Sequence, residues 1–131
     1  MIFRKLAGPM RIDSANGSPT TYRLKPNNRG RMARTALYQI KVYQSSGANC
    51  RIGLDVLHGP DGDVYCPLKA DTIAYTSVDP APALLSGALG AAGSNAEVIG
   101  EWVAVEIKIK DQNETAAQWA IVDIFEMWKP F

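Results

Sequence analysis

Apolar and polar side chains alternate along several stretches of this chain, a pattern typical of β-strands with one face in a core and the other in solvent. The even positions from Ala36 to Val42 are apolar, and so is every second residue from Cys50 to Val56. In 103–110, branched aliphatic residues at the odd positions alternate with Ala, Glu and Lys. These three stretches predict the central strands of an all-β fold.

Shorter stretches extend this pattern. The segment 71–78 is rich in β-branched and aromatic residues, which favour strands. Turn residues at Gly8-Pro9 and at 14–18 separate further apolar stretches near the start of the chain. The additional strands predicted in this way are 2–6, 10–12, 20–24, 63–67 and 71–78.

The segment 118–128 is apolar at both parities. A helix beginning near Asn113 also fits the spacing of its apolar residues, so 116–128 could be strand or helix. The content of Ile, Val, Phe and Trp, together with a preceding turn at 111–115, favours a strand that is covered on both sides.

The segment 79–96 is rich in Ala, Gly and Pro and lacks an obvious period-two pattern. We therefore predict a long loop here, which a short helical turn near Ala83–Leu89 would shorten. Such a loop is either a flexible linker or a segment that becomes ordered against a neighbouring subunit.

The predicted elements amount to about eight strands at regular spacing in 131 residues, the usual size of one domain. Two sheets packed face to face bury such strands most simply. The fold expected for 1–131 is therefore a single antiparallel β-sandwich, with a jelly roll as one arrangement of it.

Charge is distributed unevenly along the chain. Residues 1–34 hold eight basic side chains and one acidic side chain, whereas the remaining residues hold six basic and twelve acidic ones. This asymmetry indicates either a basic interaction arm or a segment that folds back onto the acidic remainder of its own chain. No stretch is apolar and long enough to span a membrane, so we expect no membrane anchor and no signal peptide.

Two cysteines permit one disulfide. The sequence Gly-Pro-Asp-Gly at 59–62 predicts a tight hairpin that places Cys66 opposite Asp55. Cys50 would then lie about 16 Å away along the strand, since each residue adds about 3.3 Å. Two free thiols are therefore expected, and with them an intracellular or virion-interior location.

No pattern in the sequence indicates catalysis or cofactor binding. His58 is the only histidine and lacks a recognisable nucleophile or orienting acid, so we interpret it as a half-exposed residue at a strand end. Asp61 and Asp63 lack the spacing of a calcium loop and fit a turn better. We predict a protein that is not an enzyme, with no catalytic, cofactor-binding or metal-binding residues.

The function expected is that of a structural subunit that packs against copies of itself and other assembly proteins. Such a subunit fits a phage or virus particle best, as a capsid, decoration or head-tail protein. Its location would then be the virion, assembled in the host cytoplasm. If the protein is not part of a virion, we expect it in the cytoplasm. Complementary charge and a two-sided apolar strand support this hypothesis. The predicted interface residues are Arg23, Arg29, Arg31, Arg34, Trp119, Phe125, Met127, Trp128 and Phe131.

Two alternatives stay open at this stage. A carbohydrate-binding β-sandwich would use exposed aromatic side chains, of which Trp102 and Tyr43 are the best candidates. Nucleic-acid binding would use the basic segment 23–34, although the only aromatic residue close to it is Tyr22.

Overall fold

The chain folds into β-strands joined by turns and loops. The computed structural model describes residues 2–24, 35–61, 63, 65–89 and 102–129. The strands in this part of the chain are β1 (Ile2–Ser14), β2 (Thr20–Arg23), β3 (Thr35–Ser45), β4 (Cys50–Gly59), β5 (Cys66–Ser77), β6 (Ala83–Leu89), β7 (Trp102–Asp111) and β8 (Gln118–Lys129).

The strands form two antiparallel four-stranded sheets. Sheet A has the order β1-β8-β3-β6, and sheet B has the order β2-β7-β4-β5. The strand pairs β1·β8, β2·β7, β3·β6 and β4·β5 show a long hairpin rolled into two layers, which is the topology of a jelly roll. The predicted all-β sandwich is thereby confirmed.

The core lies between the inner faces of the two sheets. Every second residue of β4 from Cys50 to Val56 is fully buried, as are the odd positions Val103, Ile107 and Ile109 of β7. Complete burial of an aliphatic side chain of this size contributes about 1.5–3 kcal/mol. The alternation seen in the sequence is therefore the alternation of core and outer face.

The segment 118–128 is a strand, so the helical alternative is wrong. β8 pairs with β1 on one side and β3 on the other, and this makes it a central strand of sheet A. Its even positions face the core, and Trp128 packs edge-on against Tyr38 with ring centroids 6.4 Å apart. Glu126 also faces inward and accepts a hydrogen bond of 3.0 Å from the Tyr38 hydroxyl.

Part of the predicted loop 79–96 is a strand. β6 pairs with β3 without a register shift, from Ala83 opposite Val42 to Leu89 opposite Ala36. The predicted helical turn at 83–89 is therefore wrong, and the loop prediction is wrong for these residues. Residues 90–96 lie outside the described part of the chain.

The predicted hairpin register between β4 and β5 is also wrong. Cys66 lies opposite His58 and not opposite Asp55, because the connection is longer than a tight turn. The predicted strands 63–67 and 71–78 belong largely to one strand, β5, which makes three register shifts against β4. Both thiols are free, as predicted, with Cys50 buried and Cys66 exposed.

The predicted strands 2–6 and 10–12 likewise join into one, β1. Its register against β8 shifts twice between Lys5 and Met10. Gly8 has φ +112° in this irregular stretch, and a Cβ there would lie 2.8 Å from Asp123 Cα. Only glycine allows the bulge to lie this close to β8.

Candidate functional site

The odd positions of β8 form an apolar stripe on the outside of sheet A. Sheet B packs against the opposite face of sheet A, so these side chains point away from the core. They are half buried. Between Trp119 and Met127, Asp123 is the only charged residue at these positions. The β8 stripe consists of Trp119, Ile121, Phe125 and Met127.

The neighbouring strands widen this stripe. β3 places Leu37 opposite Met127, and residues directly opposite each other in a sheet have their side chains on the same face. Tyr43, also on β3, has 37% of its surface exposed and reaches the same face through a contact with Asp123. The outer face of sheet A is thus a partly exposed surface with apolar groups from at least two adjacent strands.

Asp123 occupies the middle of the stripe and is held by both neighbouring strands. Lys5 of β1 forms an ion pair of 3.1 Å with Asp123 Oδ1, and the Tyr43 hydroxyl of β3 donates to Oδ2. Burial disfavours the ionised carboxyl, but these two interactions outweigh burial and lower the pKa of Asp123. The carboxyl is only 3% exposed because the β1 bulge at Gly8 lies against it.

A second cluster surrounds Trp119 at the end of the stripe. The Arg11 guanidinium lies 4.9 Å from the ring centroid of Trp119 and pairs with Asp13 Oδ1 at 3.0 Å. The positive charges of Lys5 and Arg11 are each balanced by a carboxylate on the same face. β3 adds Lys41 to this face, opposite Asp123 and with its Nζ 4.8 Å from the ring centroid of Tyr43, so the surface combines apolar side chains with charged ones.

The structure separates the residues that the sequence grouped into one interface. Trp119, Phe125 and Met127 lie together on the outer face of sheet A. Trp128 does not, because its even position turns it into the core, where it is 1% exposed. Residues Arg29, Arg31, Arg34 and Phe131 lie outside the described part of the chain.

Arg23 lies on the other sheet, in β2. Its guanidinium donates to Glu106 Oε1 at 2.6 and 3.0 Å and lies 5.3 Å from the ring centroid of Tyr65. Together with the Lys5–Asp123 pair, this contact shows two basic residues of the N-terminal segment folded back onto acids of the same chain. For these residues the fold-back interpretation of the charge asymmetry is correct.

Sequence reasoning missed several members of the surface. Ile121 has the same parity as Trp119, and this shared parity could have placed Ile121 among the predicted interface residues. Leu37 and Tyr43 belong to β3, and only the pairing of β3 with β8 brings them to the stripe. That pairing joins residues about eighty positions apart and has no local signature in the sequence.

Neither His58 nor the pair Asp61 and Asp63 belongs to the β8 stripe. His58 lies opposite Cys66 at the end of β4, away from the stripe. Asp61 accepts a hydrogen bond of 2.9 Å from the backbone N–H of Asp63, which supports the turn interpretation of this pair. Within the described ranges no three His, Cys, Asp or Glu side chains are grouped so that they could hold a metal ion, and no helix is long and apolar enough to cross a bilayer.

No protein-family model and no curated protein matches this chain. Solved structures do match it. A structure of infectious bursal disease virus, Gx strain, is similar with a TM-score of 0.60 and 16% sequence identity over 95% of this chain and 30% of that chain. The VP2 subviral particle of infectious bursal disease virus gives a TM-score of 0.58 and 16% identity, over 95% of this chain and 31% of that one.

A third similar structure is that of TmCBM61 in complex with β-1,4-galactotriose. Its TM-score is 0.50 and its identity 9%, over 91% of this chain and 70% of that chain. The chain described here spans less than a third of the length of the two virus chains. At these identities the similarities concern the fold alone: this chain shares its β-sandwich with parts of virus-particle proteins and with a sugar-bound protein.

Proposed function

We propose that this chain is a non-enzymatic structural subunit of a virion, and that it assembles with copies of itself through the outer face of sheet A. The observation that carries the proposal is the β8 stripe: a central strand presents four large apolar side chains on the face turned away from the core. A contiguous apolar patch on the surface of a folded domain is typical of a site that contacts a protein, a ligand or a membrane, and we assign this half-buried stripe to a protein contact.

The size of the face supports this role. Strands about 4.8 Å apart that rise about 3.3 Å per residue give four strands of ten residues a face of about 600 Å². Each partner in a standard protein interface contributes about 800 Å². Two such faces would bury about 1,200 Å² in total, the lower limit of the standard range, to which adjoining turns would add.

The chemistry of the face suits a second copy of the chain. An isologous contact brings the same patch of both subunits together, so the patch must not repel itself. Lys5 and Arg11 are paired with Asp123 and Asp13 on the face itself, which reduces the repulsion between two copies, whereas Lys41 of β3, opposite Asp123, adds a positive charge beside Tyr43. The similarity of the fold to virus-particle structures supports the virion as the place of this contact. Assembly in the host cytoplasm stays a prediction.

Nucleic-acid binding is supported less well. Arg23 is engaged with Glu106 and Tyr65, so a phosphate would have to compete with a carboxylate for it. The other basic residues of the proposed nucleic-acid segment lie outside the described part of the chain. Binding through 23–34 stays a prediction.

Sedimentation velocity over a range of protein concentrations tests the assembly. The wild-type chain is expected to sediment well above the 14.2 kDa of a monomer. The double variant Ile121→Lys/Met127→Lys places two charges in the stripe and should remain monomeric, with an unchanged circular dichroism spectrum. The control Thr76→Lys changes an exposed residue of β5 in sheet B and should assemble like the wild type.

A wild-type chain that stays monomeric at tens of micromolar would overturn the proposal. Assembly of the folded double variant to the same size as the wild type would reject the outer face of sheet A as the contact surface.

A further inference from the structure

The outer face of sheet B carries a compact group of charged and aromatic side chains. They come from three adjacent strands, β5, β4 and β7, and meet near the middle of the sheet. We refer to this group as the Tyr75 cluster. It consists of Asp55, Asp71, Tyr75, Lys108 and Lys110.

A missing side chain in β4 makes room for the cluster. Gly53 lies opposite Lys108, and a Cβ at Gly53 would be 2.9 Å from Lys108 Cε and 2.7 Å from the backbone oxygen of Ile73. The Lys108 stem therefore lies over the glycine, and Tyr75 reaches across from β5. The centroid of the Tyr75 ring is 4.7 Å from the Nζ atoms of both Lys108 and Lys110.

The Lys108 ammonium group is held under this ring. It lies 2.9 Å from Asp55 Oδ1 and contacts Asp71 Oδ1. Burial disfavours the charged ammonium, but the hydrogen bonds to Asp71 and Asp55 outweigh burial and raise the pKa of Lys108. Lys108 is only 7% exposed, although it points outward from the sheet, because Tyr75 and the two aspartates cover it.

This packing orients the Tyr75 ring. The Nζ atoms of Lys108 and Lys110 both lie near the ring, a cation–π arrangement that restricts its position. The Tyr75 side chain is still partly exposed to solvent. Tyr75 thus provides a flat apolar platform at a fixed place on the sheet.

Carboxylates border the platform and have capacity for further hydrogen bonds. The Asp71 side chain is 59% exposed, so its second oxygen can accept from a ligand. Asp71 has φ +53°, a left-handed conformation that aspartate adopts more readily than most residues, and its N–H donates to Asp55 Oδ1 at 2.7 Å.

The charges around the platform favour an uncharged ligand. Lys108 is balanced by Asp55 and Asp71, and Lys110 lies 3.7 Å from Glu114 Oε1. Carboxylates at the edge accept hydrogen bonds from hydroxyl groups and repel phosphates. A neutral pyranose fits both features, since it has a face of C–H groups that can stack on an aromatic ring and hydroxyl groups around its edge.

We infer that the Tyr75 cluster binds a neutral oligosaccharide, with one pyranose packed against the exposed part of the Tyr75 ring and its hydroxyls donating to Asp71 and Asp55. The inference is independent of the proposed assembly, because this face belongs to the opposite sheet. Copies that associate through sheet A would leave the Tyr75 cluster open to solvent.

An NMR titration tests the inference, with β-1,4-galactotriose, maltotriose and chitotriose as separate probes and uridine monophosphate as an anionic ring compound. At least one trisaccharide should produce saturable shifts centred on Tyr75, Lys108 and Lys110. Tyr75→Ala should weaken binding about tenfold or more, equivalent to about 1.4 kcal/mol. Thr76→Ala, which changes an exposed neighbour outside the cluster, should bind like the wild type.

Three results would overturn the site. These are the absence of saturable shifts with all three trisaccharides, shifts that map away from the cluster, and unchanged affinity in the folded Tyr75→Ala variant. Shifts with uridine monophosphate alone would replace the sugar by a nucleotide and so reject the proposed ligand class. If Tyr75→Ala does not fold, Asp71→Asn takes its place, with weakened trisaccharide binding expected and unchanged binding contradicting the site.

Discussion

Asp123 contributes both to the stability of the fold and to the chemistry of the outer face of sheet A. Its carboxyl is buried on an apolar face, paired with Lys5 and hydrogen-bonded by Tyr43. A residue in this position fixes β1 and β3 to the central strand β8 from the outside. Its ionisation should therefore affect the free energy of unfolding.

The pKa of Asp123 is lowered from its usual value of 3.8 in the folded chain. The ionised group therefore stabilises the fold above its unfolded pKa, and this contribution is lost as the pH falls through the folded pKa. We predict that Asp123→Asn is less stable than the wild type at pH 7 and that this difference shrinks on acidification. Urea unfolding at several pH values measures the difference.

The exposed Asp79 provides a matched control for this experiment. Asp79→Asn should follow the wild type within about 0.5 kcal/mol, the usual effect of a surface substitution. A stability difference between wild type and Asp123→Asn that stays constant down to acidic pH would contradict a stabilising ionised carboxyl.

In β8 the sequence does not determine which residues face the core. Trp119 and Trp128 differ in parity, and apolar residues occur at both parities of this strand. The sequence predicted a strand covered on both sides but could not identify the core side. The answer depends on how sheet A packs against sheet B, which assigns Trp128 to the core and Trp119 to the outer face.

Among the elements, β6 offers a direct test of the corrected fold. Leu84 and Leu85 are adjacent, yet Leu84 is 60% exposed and Leu85 is 8% exposed. We predict that Leu85→Ala lowers the free energy of unfolding by about 2–5 kcal/mol, because it leaves a cavity in the core. Leu84→Ala should change it by about 0.5 kcal/mol or less.

Chemical denaturation of the two variants under the same conditions makes this comparison. Two small and equal effects would indicate that 83–89 is a loop and not a strand. The outcome does not depend on assembly if the measurement is made at a concentration at which the chain is monomeric.

The sequence predicted those strands whose alternation is carried mainly by large aliphatic and aromatic residues. β3, β4 and β7 are of this kind, and their core positions were identified correctly. β6 consists mainly of Ala, Leu, Ser and Gly, which have little preference for strands. Its Gly87 is required because a Cβ there would collide with the backbone oxygen of Thr72, and this constraint comes from β5 and not from β6 itself.

The register of β5 against β4 was unpredictable for a related reason. The Gly-Pro-Asp-Gly sequence indicates a turn but does not set the length of the connection, and irregular pairings such as Val56 with Lys69 have no local signal. Asp71 adopts a positive φ within β5, next to Asp55. Irregularities of this kind depend on contacts between strands and become visible only in the folded chain.

At the scale of the whole molecule, the two sheets present different outer surfaces. Sheet A presents the β8 stripe together with the Lys5–Asp123 and Arg11–Asp13 ion pairs and Lys41. Sheet B presents the Tyr75 cluster and the Arg23–Glu106 pair. An assembly subunit with one contact face and one free face would have this division, and the two proposals can therefore be tested separately.

Salt distinguishes assembly through the apolar stripe from assembly through the basic segment 23–34. Raising the ionic strength from about 0.1 M to about 1 M shortens the screening length from about 10 Å to about 3 Å, so contacts between exposed charges weaken while apolar contacts persist. We predict that the wild-type assembly keeps its size in 1 M salt by sedimentation velocity, because Ile121, Met127 and their neighbours drive it. The Ile121→Lys/Met127→Lys variant should be monomeric at both salt concentrations. Dissociation of the wild type to 14.2 kDa in high salt would instead assign the contact to charged residues.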